Sequence, residues 1–171
     1  MLSMQRRSLL KLGLGSAVVL ALAGGTVALI QPGWQGGKLS AGARGVLSAV
    51  GQAVLAGTLP QEAAARQRAV AGLLDRIETF IAACPPHVQA ELSQLLGLLD
   101  VGVGRRMVAG LSPDWQQAST AELTEALQSM RLSSVSLRQQ AYQGLHDIVC
   151  ASYFSGQESW AVLGYPGPKA V

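Results

Sequence analysis

The chain has 171 residues, 49% of them hydrophobic and 13% charged, with a formal net charge of +3. That is enough chain for one modest core, too apolar for a disordered chain and too sparsely charged for a coiled coil. Arg6, Arg7 and Lys11 carry the excess charge, since without them ten Lys/Arg face ten Asp/Glu and no acid precedes Glu62. A nucleic-acid binder needs a basic face on its body, and pairs such as Arg105-Arg106 are too sparse to make one.

Residues 1–30 read as a targeting segment. A basic stretch, Gln5-Arg6-Arg7-Ser8-Leu9-Leu10-Lys11, precedes an uncharged run from Leu12 to Ile30, the order of an export signal. Arg6, Arg7, Leu10 and Lys11 match the twin-arginine export motif, whereas Gln5 and Leu9 depart from its commonest residues. That resemblance implies passage of an already folded protein through the twin-arginine translocase into the periplasm. Ala21-Leu22-Ala23 fits a small-x-small cleavage pattern, so cleavage after Ala23 is expected. The alternative is an uncleaved anchor: 19 helical residues span about 28 Å, close to a hydrocarbon core. Residues 31–38 then read as a flexible leader rich in Gly and Gln.

From Leu39 onward the apolar residues recur at helical spacing, and residues 39–154 are expected to form an all-α, irregular bundle of about five helices. Val46, Leu47, Val50, Ala53 and Val54 form one stripe, and Val70, Leu73, Leu74, Ile77, Phe80 and Ile81 a second. The third holds Val88, Leu92, Leu95, Leu96 and Leu99, the fourth Leu123, Leu127 and Met130, and the fifth Ala141, Tyr142, Leu145, Ile148 and Val149. Pro60 separates the first two helices. Cys84-Pro85-Pro86 ends the second and opens the third. Ser112-Pro113-Asp114 reads as a helix start, Ser119 with Glu122 as a capping box, and Ser133 or Ser134 as a cap for the last helix. The glycines of Val101-Gly102-Val103-Gly104 loosen the chain between helices and follow no strand, which excludes a dinucleotide loop. No run alternates with period two, so no sheet is expected.

Catalytic material is scarce. The chain has two histidines, His87 and His146, and no Gly-x-Ser-x-Gly elbow. His146 and Asp147 are neighbours on a helix and are expected to point apart. No catalytic residue, metal or cofactor is assigned. Cys84-x2-His87 together with His146-x3-Cys150 has the composition of a tetrahedral zinc set, a rival reading that rests on two short spacings. In an oxidising compartment a Cys84–Cys150 disulfide, or a bridge from one cysteine to a partner chain, is a further possibility, beside two half-buried thiols.

Residues 155–171 form the unusual part, an extended aromatic and Pro-Gly tail. Of the chain's eight aromatic residues, five lie between Tyr142 and Tyr165 and four lie beyond residue 150. Tyr153, Phe154, Trp160, Tyr165 and Pro166 are the candidate partner-binding residues, because Tyr and Trp anchors concentrate in protein interfaces. The rival reading has the same tail folding back over its own bundle.

The leader, a helical body of this length and the ending Tyr153-Phe154-Ser155-x4-Trp160-x3-Gly164-Tyr165-Pro166-Gly167-Pro168 resemble the small subunits of membrane-associated flavin dehydrogenases. That group includes the gluconate 2-dehydrogenase subunit 3 family and the small subunits of sorbitol, fructose and glucose dehydrogenases. The resemblance is specific at the two ends and loose at Trp115 and Arg131. It implies a cofactor-free subunit whose leader carries a leaderless catalytic flavoprotein of the glucose–methanol–choline type across the membrane and stabilises it. A cytochrome c subunit often completes such complexes. A stand-alone exported module, holding a small apolar ligand between helices, is the alternative.

Overall fold

In the computed structural model, residues 31–160 and 162–167 are described, the side chain of Glu158 excepted. Among them a short hairpin precedes six helices: β1 (Trp34–Gln35), β2 (Lys38–Leu39), α1 (Ala41–Val54), α2 (Ala63–Ala83), α3 (Pro86–Asp100), α4 (Gly102–Gly104), α5 (Thr120–Arg131) and α6 (Ser136–Phe154). The architecture is the all-α bundle that the periodicity implies. The described residues from Pro32 onward form one compact unit with its own core.

Helix α1 is the hub of the bundle. Its Ser40 cap accepts a hydrogen bond from the Ala43 amide at 3.1 Å, satisfying one of the orphan donors of the first turn. Ala43, Val46, Leu47, Ala49, Val50 and Ala53 are all buried, so α1 packs on α2, α3, α5 and α6. Small side chains let neighbouring helices close around it, while Leu47, Leu73, Ile77, Leu99, Met130 and Val149 fill the space between. Glu62 caps α2, its carboxylate accepting from the Ala64 and Ala65 amides at 2.8 and 2.6 Å. On α2 the stripe faces inward except at its edge, where Phe80 remains exposed. Cys84 ends α2 in extended backbone, and Pro86 opens α3, as the Cys-Pro-Pro sequence dictates.

The stretch 31–38, expected as a flexible leader, is instead fastened to α3. Ser93 Oγ accepts from the Trp34 amide at 3.0 Å and donates to the Trp34 carbonyl at 3.1 Å. Trp34 Nε1 donates to Gln89 at 3.2 Å, and the Gly33 amide donates to the Ser93 carbonyl at 3.0 Å. The hairpin leaves no period-two pattern in the sequence because each strand has only two residues. Gly33 makes the docking possible: a Cβ there would lie 2.5 Å from Leu96 Cβ and 2.9 Å from the Ser93 carbonyl oxygen. Gly33→Ala must therefore push the hairpin off α3. We expect it to cost about 1–3 kcal/mol, as overpacking does, read as a lower urea midpoint. A midpoint equal to wild type would show that the hairpin adds nothing to the fold.

After α3 the chain tightens rather than loosens. Gly104 lies so close to the Leu98 carbonyl that any Cβ would clash with it. Helix α4 continues into a π-helical turn, Arg105–Ala109, which ends at Gly110 in left-handed backbone (φ 73°). Arg105 is buried in that turn and forms an ion pair with Asp114 at 2.5 Å. This holds the 111–118 connection, in which buried Trp115 donates to the Leu99 carbonyl at 2.8 Å. Ser112-Pro113-Asp114 consequently starts a turn and not a regular helix. The Ser119–Glu122 capping box of α5 is present in full. Helix α6 is capped at Val135, without a side-chain hydrogen bond, and Ser133 Oγ accepts from the Val135 amide at 3.1 Å.

Candidate docking segment and the side-chain cluster on α6

The last turn of α6 continues the core stripe. Tyr153 lies four residues after the buried Val149 and is itself only 3% exposed. It is a core residue, with the Phe154 ring set edge-on to it at 5.3 Å. Arg76 of α2 fixes this end by donating Nε to the Ser152 carbonyl at 2.7 Å.

Beyond Phe154 the chain is folded into turns and not extended. The Ser155 amide donates to Ala151, and a 3-10 turn at Gln157–Ser159 follows. Ser159 is wholly buried and its hydroxyl donates to the Gly156 carbonyl at 2.7 Å. The Leu163 amide then returns to the Ser159 carbonyl at 3.2 Å, and the Tyr165 amide to the Trp160 carbonyl at 2.9 Å. Gly164 supplies the positive φ (65°) that closes this loop. Trp160, half-buried, is the loop's internal support. The Tyr165 ring meets it edge-on at 5.3 Å, and a Cβ on Gly167 would lie 3.2 Å from its Cζ3. Val162, Leu163, Tyr165 and Pro166 face outward, the first three at 59%, 55% and 48% exposure.

The five aromatic and proline residues read as partner-binding thus fall into two groups. Tyr153 is in the core, Phe154 lies beside it partly buried, and Trp160 supports the loop. Tyr165 and Pro166 are displayed, joined by Val162 and Leu163. The two aliphatic residues were missed because residue type alone favours aromatic anchors. Arg6, Arg7, Leu10 and Lys11, the Ala23 cleavage position and Pro168 lie outside the described residues. Among the described residues no helix is long and apolar enough to cross a membrane.

A second cluster lies on the half-exposed face of α6. His146 and Asp147, expected to diverge, are in contact: Nδ1 and Oδ1 are 3.2 Å apart. The imidazole lies along the helix surface between residues one turn away on either side. Tyr142 stacks on it at 5.6 Å, and Cys150 Sγ sits 3.7 Å from Nε2. The Asp147 carboxylate leans back to accept from Gln143 at 2.8 Å, which brings it within reach of the imidazole. Those hydrogen bonds, from Gln143 first and His146 second, lower the Asp147 pKa.

A thiol, an imidazole and a carboxylate in series have the connectivity of a nucleophile, base and orienting acid. The electrostatics oppose that use: burial, and secondarily the Asp147 charge, raise the Cys150 pKa, whereas activation requires a lowered one. Cys84 does not join the group. It ends α2, where its carbonyl accepts from Gln89 at 2.9 Å. The Cys84–Cys150 disulfide is not formed, and both residues are free, partly buried thiols. Among the described residues no three His, Cys, Asp or Glu side chains converge as a metal site, so the two Cys/His pairs do not assemble.

A groove of about 190 Å³ opens between α1 and the start of α5, lined by Gly45, Ser48, Gln52, Trp115, Gln116 and Thr120 among others. It is smaller than the usual 300–1,000 Å³ of small-molecule sites and rich in amides and hydroxyls, which suits water better than an apolar ligand. Comparison with protein-family models, with curated proteins and with solved structures yields no match for this chain.

Proposed function

We propose that this chain is a non-catalytic accessory subunit of a periplasmic flavin dehydrogenase, carrying the catalytic flavoprotein through the twin-arginine pathway and stabilising it. The observation that carries the reading is the C-terminal loop. Val162, Leu163, Tyr165 and Pro166 are displayed outward on a support built from Trp160, Ser159 and the end of α6. A loop pre-ordered in this way loses little conformational freedom on docking, and apolar side chains held on the outside gain from leaving water. The Arg6-Arg7 leader and the ending Tyr153-Phe154-Ser155…Pro166-Gly167-Pro168 supply the partner's class through their resemblance to dehydrogenase small subunits. The small polar groove and the separation of the two Cys/His pairs among the described residues give the rival readings, a ligand-binding module and a zinc protein, less to stand on. A flavin absorbance spectrum of the complex isolated from the periplasm tests the proposal.

A further inference from the structure

The end of the bundle opposite in character to the C-terminal loop is formed by the π-helical turn Arg105–Ala109, the last turn of α5 and the first turn of α6. Arg138 ties these three together. Its Nε donates to the Val108 carbonyl at 2.7 Å and its Nη2 to Ser129 Oγ at 3.0 Å. On and beside these elements four apolar side chains are exposed: Val103 at 51%, Met107 at 67%, Leu132 at 67% and Val135 at 53%. Arg106 and Arg131 stand exposed among them in the chain. No carboxylate pairs with either arginine among the described residues. Between Val101 and Pro113, and between Gln128 and His146, the sequence contains no acid.

The nearest acids on these elements are engaged or distant. Asp114 pairs with buried Arg105, Asp100 lies against Gly42 of α1, and Glu125 is six residues up α5 from Arg131, about 9 Å along the helix. The body as a whole is neutral, so this end holds a local excess of cations. The C-terminal loop is its converse, since residues 150–167 contain no Lys or Arg.

We infer that this end of the bundle, Val103, Met107, Leu132 and Val135 with Arg106, Arg131 and Arg138, binds the surface of an anionic phospholipid bilayer. Charge complementarity selects an anionic occupant. The apolar members select a lipid surface over an acidic protein: they are aliphatic, protrude singly and include no aromatic anchor, whereas protein hot spots are enriched in Trp and Tyr seated in desolvated pockets. A bilayer interface accepts protruding aliphatic side chains without a complementary shape, and arginines beside them stay at headgroup level. The inference does not depend on the accessory-subunit reading.

The test uses the body from Gln31 onward, which holds a complete core, because the leader's own cations and apolar run would mask the effect. Flotation with phosphatidylglycerol-containing vesicles is compared with flotation with pure phosphatidylcholine vesicles. Binding to the anionic vesicles alone, weakened by added salt, is expected. R106E/R131E should weaken it by well over tenfold, since each cation near such a surface contributes about fivefold. M107S/L132S should weaken it at unchanged charge, and both residues are exposed enough for the fold to survive. Far-UV circular dichroism of each variant should match wild type. Equal binding to both vesicle types, or anionic binding untouched by both variants, overturns the inference. So does loss of a protein partner in these variants while vesicle binding persists.

Discussion

Replacing Arg6 and Arg7 together by lysine is expected to leave nearly all of this chain, and of the proposed flavoprotein partner, inside the cell. Lysine keeps the charge but loses the planar guanidinium fork that distinguishes arginine in recognition. An ordinary basic signal would tolerate the change, since its basic region needs only charge. A leader that acts for two proteins gives a double effect: the partner, whose own sequence is intact, fails to arrive because its carrier does. The measurement is the distribution of both proteins between cytoplasmic and periplasmic fractions. A partner that reaches the periplasm beside the lysine variant would end the carrier role.

Tyr165→Ala should weaken association with the proposed flavoprotein partner about thirtyfold, with little change in the melting temperature of the free subunit. The ring is about half exposed, so its removal leaves only a modest cavity, while an anchor buried at an interface typically contributes ~2 kcal/mol or more. Trp160→Ala should behave differently. Its ring supports Tyr165 and Gly167, and without it the loop loses its shape. Both the loop's own order and the binding should then fall. If Tyr165→Ala melts markedly earlier yet binds normally once folded, the loop is a cover for its own bundle and not a docking surface.

Much of the bundle was legible because its signals are local. The Ser119–Glu122 box and the Cys84-Pro85-Pro86 break act within a few residues, and the stripes on α1 and α2 continue over several turns. Features set by tertiary contact were not legible. Gly33 and Gly104 read as loose linkers, yet each is small because another backbone passes close by. The hairpin at 34–39 is stabilised by Ser93 and Gln89, more than fifty residues away in sequence. The contact of His146 with Asp147 arises from side chains leaning toward partners one turn away, which adjacency on a helical wheel conceals. In the C-terminal segment a signal was present: carrying the α6 stripe from Val149 one turn further places Tyr153 inside. Which side of the following loop faces outward depends on Gly164 and Ser159, whose roles only folding reveals.

The accessory-subunit account meets its most direct test in the complex itself. The chain would be isolated from periplasm under mild detergent and its accompanying proteins resolved, with a flavin absorbance spectrum taken on the same sample. The account predicts a co-purifying flavoprotein that lacks a leader of its own, with flavin near one per copy of this chain. Flavin should remain with the partner once the two are separated. A chain that emerges alone and colourless from periplasm in which a leaderless flavoprotein is active would contradict it.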